Sequence, residues 1–132
     1  MDIIARKGTI GVSVSLLLMD DVGRPISPDP FTAVTARFYR VDPATGLLAL
    51  DVGLPGGGVL ALTEQFTIPC WYGANYNVST AQFENYTIVV TWVSGGLDRR
   101  RMLRMFLSDD LLTVFQNSIT TPSSRSTLLA PP

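Results

Sequence analysis

The sequence predicts an all-β chain, a single antiparallel β-sandwich with an extended arm at each end. Three observations carry that reading. Short runs of alternating apolar and polar residues recur along the chain, separated by clusters of Gly, Pro, Asp and Asn. Helical periodicity is almost absent. The stretch 83–107 reads as one long hairpin, with a Ser94-Gly95-Gly96 turn between two arms, the first rich in β-branched and aromatic residues and the second in arginine.

Taken in order, residues 1–8 read as a leader arm. In 9–19, Ile10, Val12, Val14, Leu16 and Leu18 share one face, because successive side chains of a strand point to opposite sides. Asp20-Asp21-Val22-Gly23-Arg24-Pro25 is a turn, and Pro25, Pro28 and Pro30 hold the next segment out of regular structure. A strand follows over 31–41, with Val34, Ala36 and Phe38 opposite Thr35, Arg37 and Tyr39. Asp42-Pro43-Ala44-Thr45-Gly46 turns the chain into a short strand over 47–52. Residues 53–58 form a flexible glycine-rich connector, 59–68 a further strand, 69–75 an aromatic-rich loop and 76–80 a short strand.

In the hairpin, Tyr86, Ile88, Val90 and Trp92 fall on one face of the first arm. In the return arm Leu103, Met105 and Leu107 share a face with Arg99 and Arg101, while Arg100, Met102, Arg104 and Phe106 share the other. The expected core sets Trp92 and Tyr86 against Leu103 and Met105. Ser108-Asp109-Asp110 suits the N-cap of one or two helical turns over 111–116, with a further strand as the competing reading. From 117 the chain turns to Ser, Thr and Pro and closes on Leu128-Leu129-Ala130-Pro131-Pro132, a composition that builds no core. The domain plan is therefore an arm over 1–8, a sandwich over 9–116 and an arm over 117–132.

Composition excludes more than it assigns. The chain has 132 residues and a net charge of −1, which argues against a general nucleic-acid-binding surface. Histidine is absent, so the commonest acid–base group and metal ligand is missing, and neither Cys70 nor any serine has its usual base. No disulfide forms within a chain holding one cysteine. The 53–58 loop lacks the Gly-Lys-Ser/Thr ending of a phosphate cradle. Asp20-Asp21 and Asp109-Asp110 read as turn and cap residues, since strand neighbours point apart. No cofactor, metal or catalytic residue is expected. The first residues lack a secretory leader and no apolar run is long enough to span a bilayer, so no membrane is expected either.

What stands out is apolar content: 46% apolar against 16% charged, with a mean hydropathy of +0.27. A small domain cannot hide all of that, and large apolar patches mark interaction sites. The expected partner-facing residues are Trp71 and Tyr72 as aromatic anchors, Arg99, Arg100, Arg101 and Arg104 as guanidinium forks for acidic groups, and Leu128 and Leu129 as hooks on the tail. Trp71, Tyr72 and Tyr76 also offer a stacking platform for a sugar, which makes a carbohydrate- or cell-surface-binding module the rival reading.

Gly8-Thr9 opening an alternating strand, then Leu18-Met19-Asp20-Asp21-Val22-Gly23-Arg24-Pro25-Ile26 and Val34-Thr35-Ala36-Arg37-Phe38, together with the 86–92 strand and its Gly-Gly turn, resembles a known group. These residues are similar to the small immunoglobulin-like β-sandwich modules of tailed-bacteriophage virions. The resemblance implies an immunoglobulin-like sandwich (a jelly-roll-like one is the alternative) in a non-enzymatic particle component. Capsid decoration or cement is favoured over a tail or baseplate subunit. Its implied partners are other virion proteins and copies of itself, and its implied location is the virion. The Cys–Trp–Cys spacing of antibody domains is absent, so the likeness is one of architecture.

Overall fold

The computed structural model describes residues 2–65 and 69–108. They contain eight strands: β1 (Asp2–Arg6), β2 (Val12–Leu17), β3 (Val34–Val41), β4 (Leu48–Leu50), β5 (Val59–Glu64), β6 (Trp71–Tyr76), β7 (Asn85–Ser94) and β8 (Leu97–Ser108). Seven of them form one nearly closed, barrel-like mixed sheet in the order β1-β8-β7-β3-β5-β6-β2, and β4 pairs β3 off that path. The all-β class is as expected. Two separate layers are not distinguished, because β5 serves both flanks: Val59–Leu62 pairs with β3, and Thr63 and Glu64 pair with Gly73 and Tyr72 of β6.

The remaining differences have local causes. The 1–8 arm is not an arm, since Asp2–Arg6 pairs in parallel with Arg104–Ser108 and makes the sheet mixed. Its alternation is real, with Ile3 and Ala5 packed against the core and Asp2, Ile4 and Arg6 exposed. The aromatic loop at 69–75 is largely strand β6, and 76–80 is not a strand: the Asn77 side chain accepts the Ser79 N–H at 2.9 Å and turns the chain. The 53–58 connector is pinned by buried Leu54 and a 3-10 turn over Pro55–Gly57. Gly58 (φ 82°) must be glycine, because a Cβ there would lie 2.6 Å from the Asp51 carbonyl oxygen. The strand expected over 59–68 is described as far as Glu64. The expected helix or strand at 109–116, the 117–132 arm and its Leu128 and Leu129 lie outside the described residues.

The core follows the period of two. Val12, Val14, Leu16, Leu18, Val34, Ala36 and Phe38 point inward from the first strands, and Tyr86, Ile88, Val90, Trp92, Leu103, Met105 and Leu107 from the hairpin. Hairpin register runs Tyr86 to Met105, Ile88 to Leu103 and Trp92 to Arg99, closed by the two-residue Gly95-Gly96 turn at φ 62° and 74°. Trp92 thus faces Arg99 across the ladder and not Leu103, because the loop is two residues long and fixes the pairing. Its indole Nε1 is buried without a hydrogen-bond partner among the described residues.

Candidate interaction surface

Strand alternation divides the arginine run between two faces. Arg99 and Arg101 lie on the core side of β8 near one end of the barrel. The Arg101 guanidinium donates to the Leu17 carbonyl at 3.2 Å, so β8 reaches across to β2, the far edge of the sheet. Arg99 donates to the Ser94 carbonyl and lies 3.9 Å from the exposed Asp21 carboxylate. Arg100 and Arg104 point outward. Arg104 pairs with Asp2 at 3.4 Å and lies over the Phe106 ring, whereas Arg100 is exposed without a polar partner among the described residues. The four expected arginines are therefore not one patch: two tie the barrel together and two face solvent.

The outward face of β1-β8-β7-β3-β5 combines those two with others. Met102 stands opposite Val89, Val89 opposite Arg37, and Arg37 opposite Val59, giving one continuous row across four strands. Ile4 and Phe106 are opposite each other two rows further along. Met102 is 56% exposed. On this face four guanidiniums (Arg6, Arg37, Arg100, Arg104) stand against the carboxylates of Asp2 and Asp98. It is an apolar surface studded with positive charge.

The barrel end beside the hairpin tip is built more firmly. Asp29 accepts the backbone N–H groups of Gly95 and Gly96, both at 2.8 Å, and its own N–H donates to the Val93 carbonyl. Those two amides, Gly96 first, hold the Asp29 carboxyl below the ordinary aspartate range. The Ser94 hydroxyl donates to the Ser27 carbonyl at 2.7 Å. Two residues beyond this clasp stands Phe31, fully exposed and held at φ 64°. A left-handed conformation costs an L-residue about 1–2 kcal/mol, and a bulky aromatic fully in water gains nothing for the isolated fold. Leu97 is exposed nearby in the chain of the hairpin tip, and a cavity of about 490 Å³ lies there, lined by Ala33, Thr91, Val93, Asp98, Arg99 and Arg100.

The aromatic anchors also separate. Trp71 points outward from β6, while Tyr72 packs partly against the core, where burial first, then Glu64 and Cys70, push its hydroxyl pKa up. Tyr76 is buried against Phe38, with ring centroids 4.4 Å apart, and donates to the Pro55 carbonyl. The three-ring stacking platform does not form. Phe31 was missed because nothing in Asp29-Pro30-Phe31-Thr32 encodes a positive φ; the only hint was its position beside two prolines, outside the alternating part of the strand.

Cys70 is buried, in contact with the Ser27 hydroxyl at 3.4 Å, with its own N–H donating to the Glu64 carboxylate. Among the described residues no group of three or more His, Cys, Asp or Glu is placed to hold a metal ion, and no helix is long and apolar enough to cross a membrane. No protein-family model, curated protein or solved structure matches the chain.

Proposed function

We propose that this chain is a non-enzymatic structural component of a viral particle, which binds and steadies neighbouring subunits, with capsid decoration favoured over a tail or baseplate place. The observation that carries the binding part is Phe31: an exposed aromatic in a strained conformation, on a loop clamped by Asp29. Strain at an exposed residue persists where the surroundings over-determine it, and such residues cluster at contact sites. A large, rigid aromatic is also the commonest kind of binding anchor. The outward face with Met102, Val89, Arg37 and Arg100 supplies the wider contact, suited to a partner with apolar and acidic groups. The parallel pairing of β1 with β8, and the run β8-β7-β3 followed by β5-β6-β2, support the immunoglobulin-like form of the fold. Residues 117–132, with Leu128 and Leu129, act in this reading as a clasp on a neighbour. The particle itself rests on the sequence resemblance.

The test is occupancy. An antibody raised against the recombinant chain is used to label particles purified from the cells that encode it. Regular labelling, and its loss when Phe31→Gly replaces the native residue, is the expected result. Because glycine accepts φ 64° freely, Phe31→Gly should leave the fold as stable as before or about 0.5–1 kcal/mol more stable, so lost labelling cannot be blamed on unfolding. Particles devoid of the chain would overturn the proposal.

A further inference from the structure

An anchor and a place for an anchor stand side by side at the hairpin-tip end of the barrel. The anchor is Phe31. Asp29 to Thr32 is a four-residue turn closed by the Thr32 N–H on the Asp29 carbonyl at 3.3 Å, and Phe31 holds its third position at φ 64°. That position ordinarily goes to glycine or asparagine, because a larger side chain is strained there. The Thr32 hydroxyl donates to the same carbonyl at 2.5 Å, and the Asp29 carboxylate is fixed on the Gly95 and Gly96 amides, so the turn is held from both sides. The Phe31 ring is fully exposed.

Two residues further on, Ala33 lines the groove of about 490 Å³. The hairpin supplies the rest: Val93 stands opposite Asp98 in the ladder, and Thr91 opposite Arg100. Ala33 and Val93 give the groove an apolar part, and its size falls within the roughly 300–1,000 Å³ of small-ligand sites, ample for one aromatic ring. The chain's own Phe31 does not enter it. Asp98 and Arg100 follow one another on the outward side of β8, both exposed, and neither side chain has a polar partner among the described residues. A partner surface of one charge sign satisfies one of them and repels the other. A surface with the same pair in reverse order satisfies both. A two-fold axis supplies that surface, because in an isologous interface residue i meets j and j meets i.

Taking Phe31 as a contact residue, as above, we propose that what it contacts is a second copy of this chain. The two copies meet about a two-fold axis at their hairpin tips. Each Phe31 ring is seated in the other copy's groove, and each Asp98 faces the other copy's Arg100. Neither groove is complete without the ring from its partner. A net charge of −1 per copy sets up little long-range repulsion between them. A contact confined to one turn and one hairpin end lies at the small end of protein interfaces. The dimer is therefore reversible, with a Kd on the order of micromolar.

Sedimentation equilibrium of the full chain over a concentration series reads the balance of monomer and dimer. A dimer is expected, and Phe31→Gly, which suits φ 64° and keeps the fold, should weaken it at least about tenfold. Asp98→Arg and Arg100→Asp should each weaken self-association by setting like charges face to face. An equimolar mixture of those two variants should recover it, and so should both exchanges made in one chain. A role for the pair within a single chain gives no recovery in the mixture. Three results would each overturn the proposal: a monomer at every concentration, a dimer that survives Phe31→Gly, or a mixture that associates no better than its components. The particle test fails separately. A monomer whose Phe31→Gly form is still lost from particles removes the second copy and leaves Phe31 a contact residue, whereas a dimer absent from particles does the reverse.

Discussion

Asp29 shows how much one carboxylate organises. It ties the 27–32 segment to the hairpin tip through the Gly95 and Gly96 amides, and those bonds favour its ionised form. Its folded-state pKa lies below the ordinary 3.8, so the stability it contributes is present above that pH and is lost as pH falls through the lowered value. Asp29→Asn should therefore melt below the native chain at neutral pH, with the two curves converging in acid. Thermal melts across pH check this, and a gap that persists in strong acid would show that the bonds are not charge-dependent. Asp20, held low chiefly by the Arg24 backbone N–H, adds to the same trend without touching the tip. Tyr86 works in the opposite range. Burial, then its 2.6 Å bond to Asp51, raises its pKa well above the usual tyrosine value, so its stabilising effect is full below pH 10 and fades in strong alkali. Tyr86→Phe should cost about 1.5 kcal/mol in urea unfolding, at the low end for a bond to a charged acceptor because Asp51 is half-exposed.

At the scale of elements, the hairpin was legible and two strands were not. Residues 85–94 and 97–108 carry long alternation and a Gly-Gly turn, so their inward faces follow from side-chain period alone. Asp2–Arg6 is five residues with two adjacent isoleucines, too short for a period to declare itself, and it is a strand only because β8 offers an edge. Trp71–Tyr76 was hidden by Gly73 and Asn75, which are turn formers in isolation. Here Gly73 is demanded by tertiary proximity to Ser15, a cause invisible along the chain. The same proximity gives a test: Gly73→Ala should destabilise by about 1–3 kcal/mol, the usual penalty of overpacking. Adding Ser15→Gly removes the nearest clashing atom and should recover part of that loss in denaturant melts, whereas Ser13→Gly should recover none. The arginine run was visible as a run. Its partition into two ties and two outward charges depended on alternation and on the curvature that brings β2 within reach of Arg101.

At the scale of the whole molecule, the apolar side chains of the described residues divide between the interior and the surface. Inward-facing side chains fill one continuous core. Of the exposed large apolar side chains, Phe31 and Leu97 stand at the tip and Met102, Ile4 and Val59 on one broad sheet face, while Ile10, Val22, Val41, Leu47, Leu48 and Val52 are scattered over the turns and strand ends. If that face is a contact surface, Met102→Glu combined with Arg100→Glu should leave the melting temperature within a few degrees of native, because neither side chain enters the core. The same pair should reduce capture of the chain by the proposed particle, measured by co-sedimentation. Undiminished capture would move the contact to the Phe31 end alone. A control at Val52, equally apolar and exposed but off the sheet face, should be silent.

The pairing of Asp2 with Arg104 joins positions 102 apart. Synthesis makes Asp2–Arg6 long before its pairing partner, so this strand waits without a template until Arg104–Ser108 has been translated. Closing so wide a loop is entropically slow, and no shorter intermediate completes this edge. Products that stop short of β8 should therefore lack this edge, and until β8 is made the first strand stays open to whatever else binds an unpaired strand.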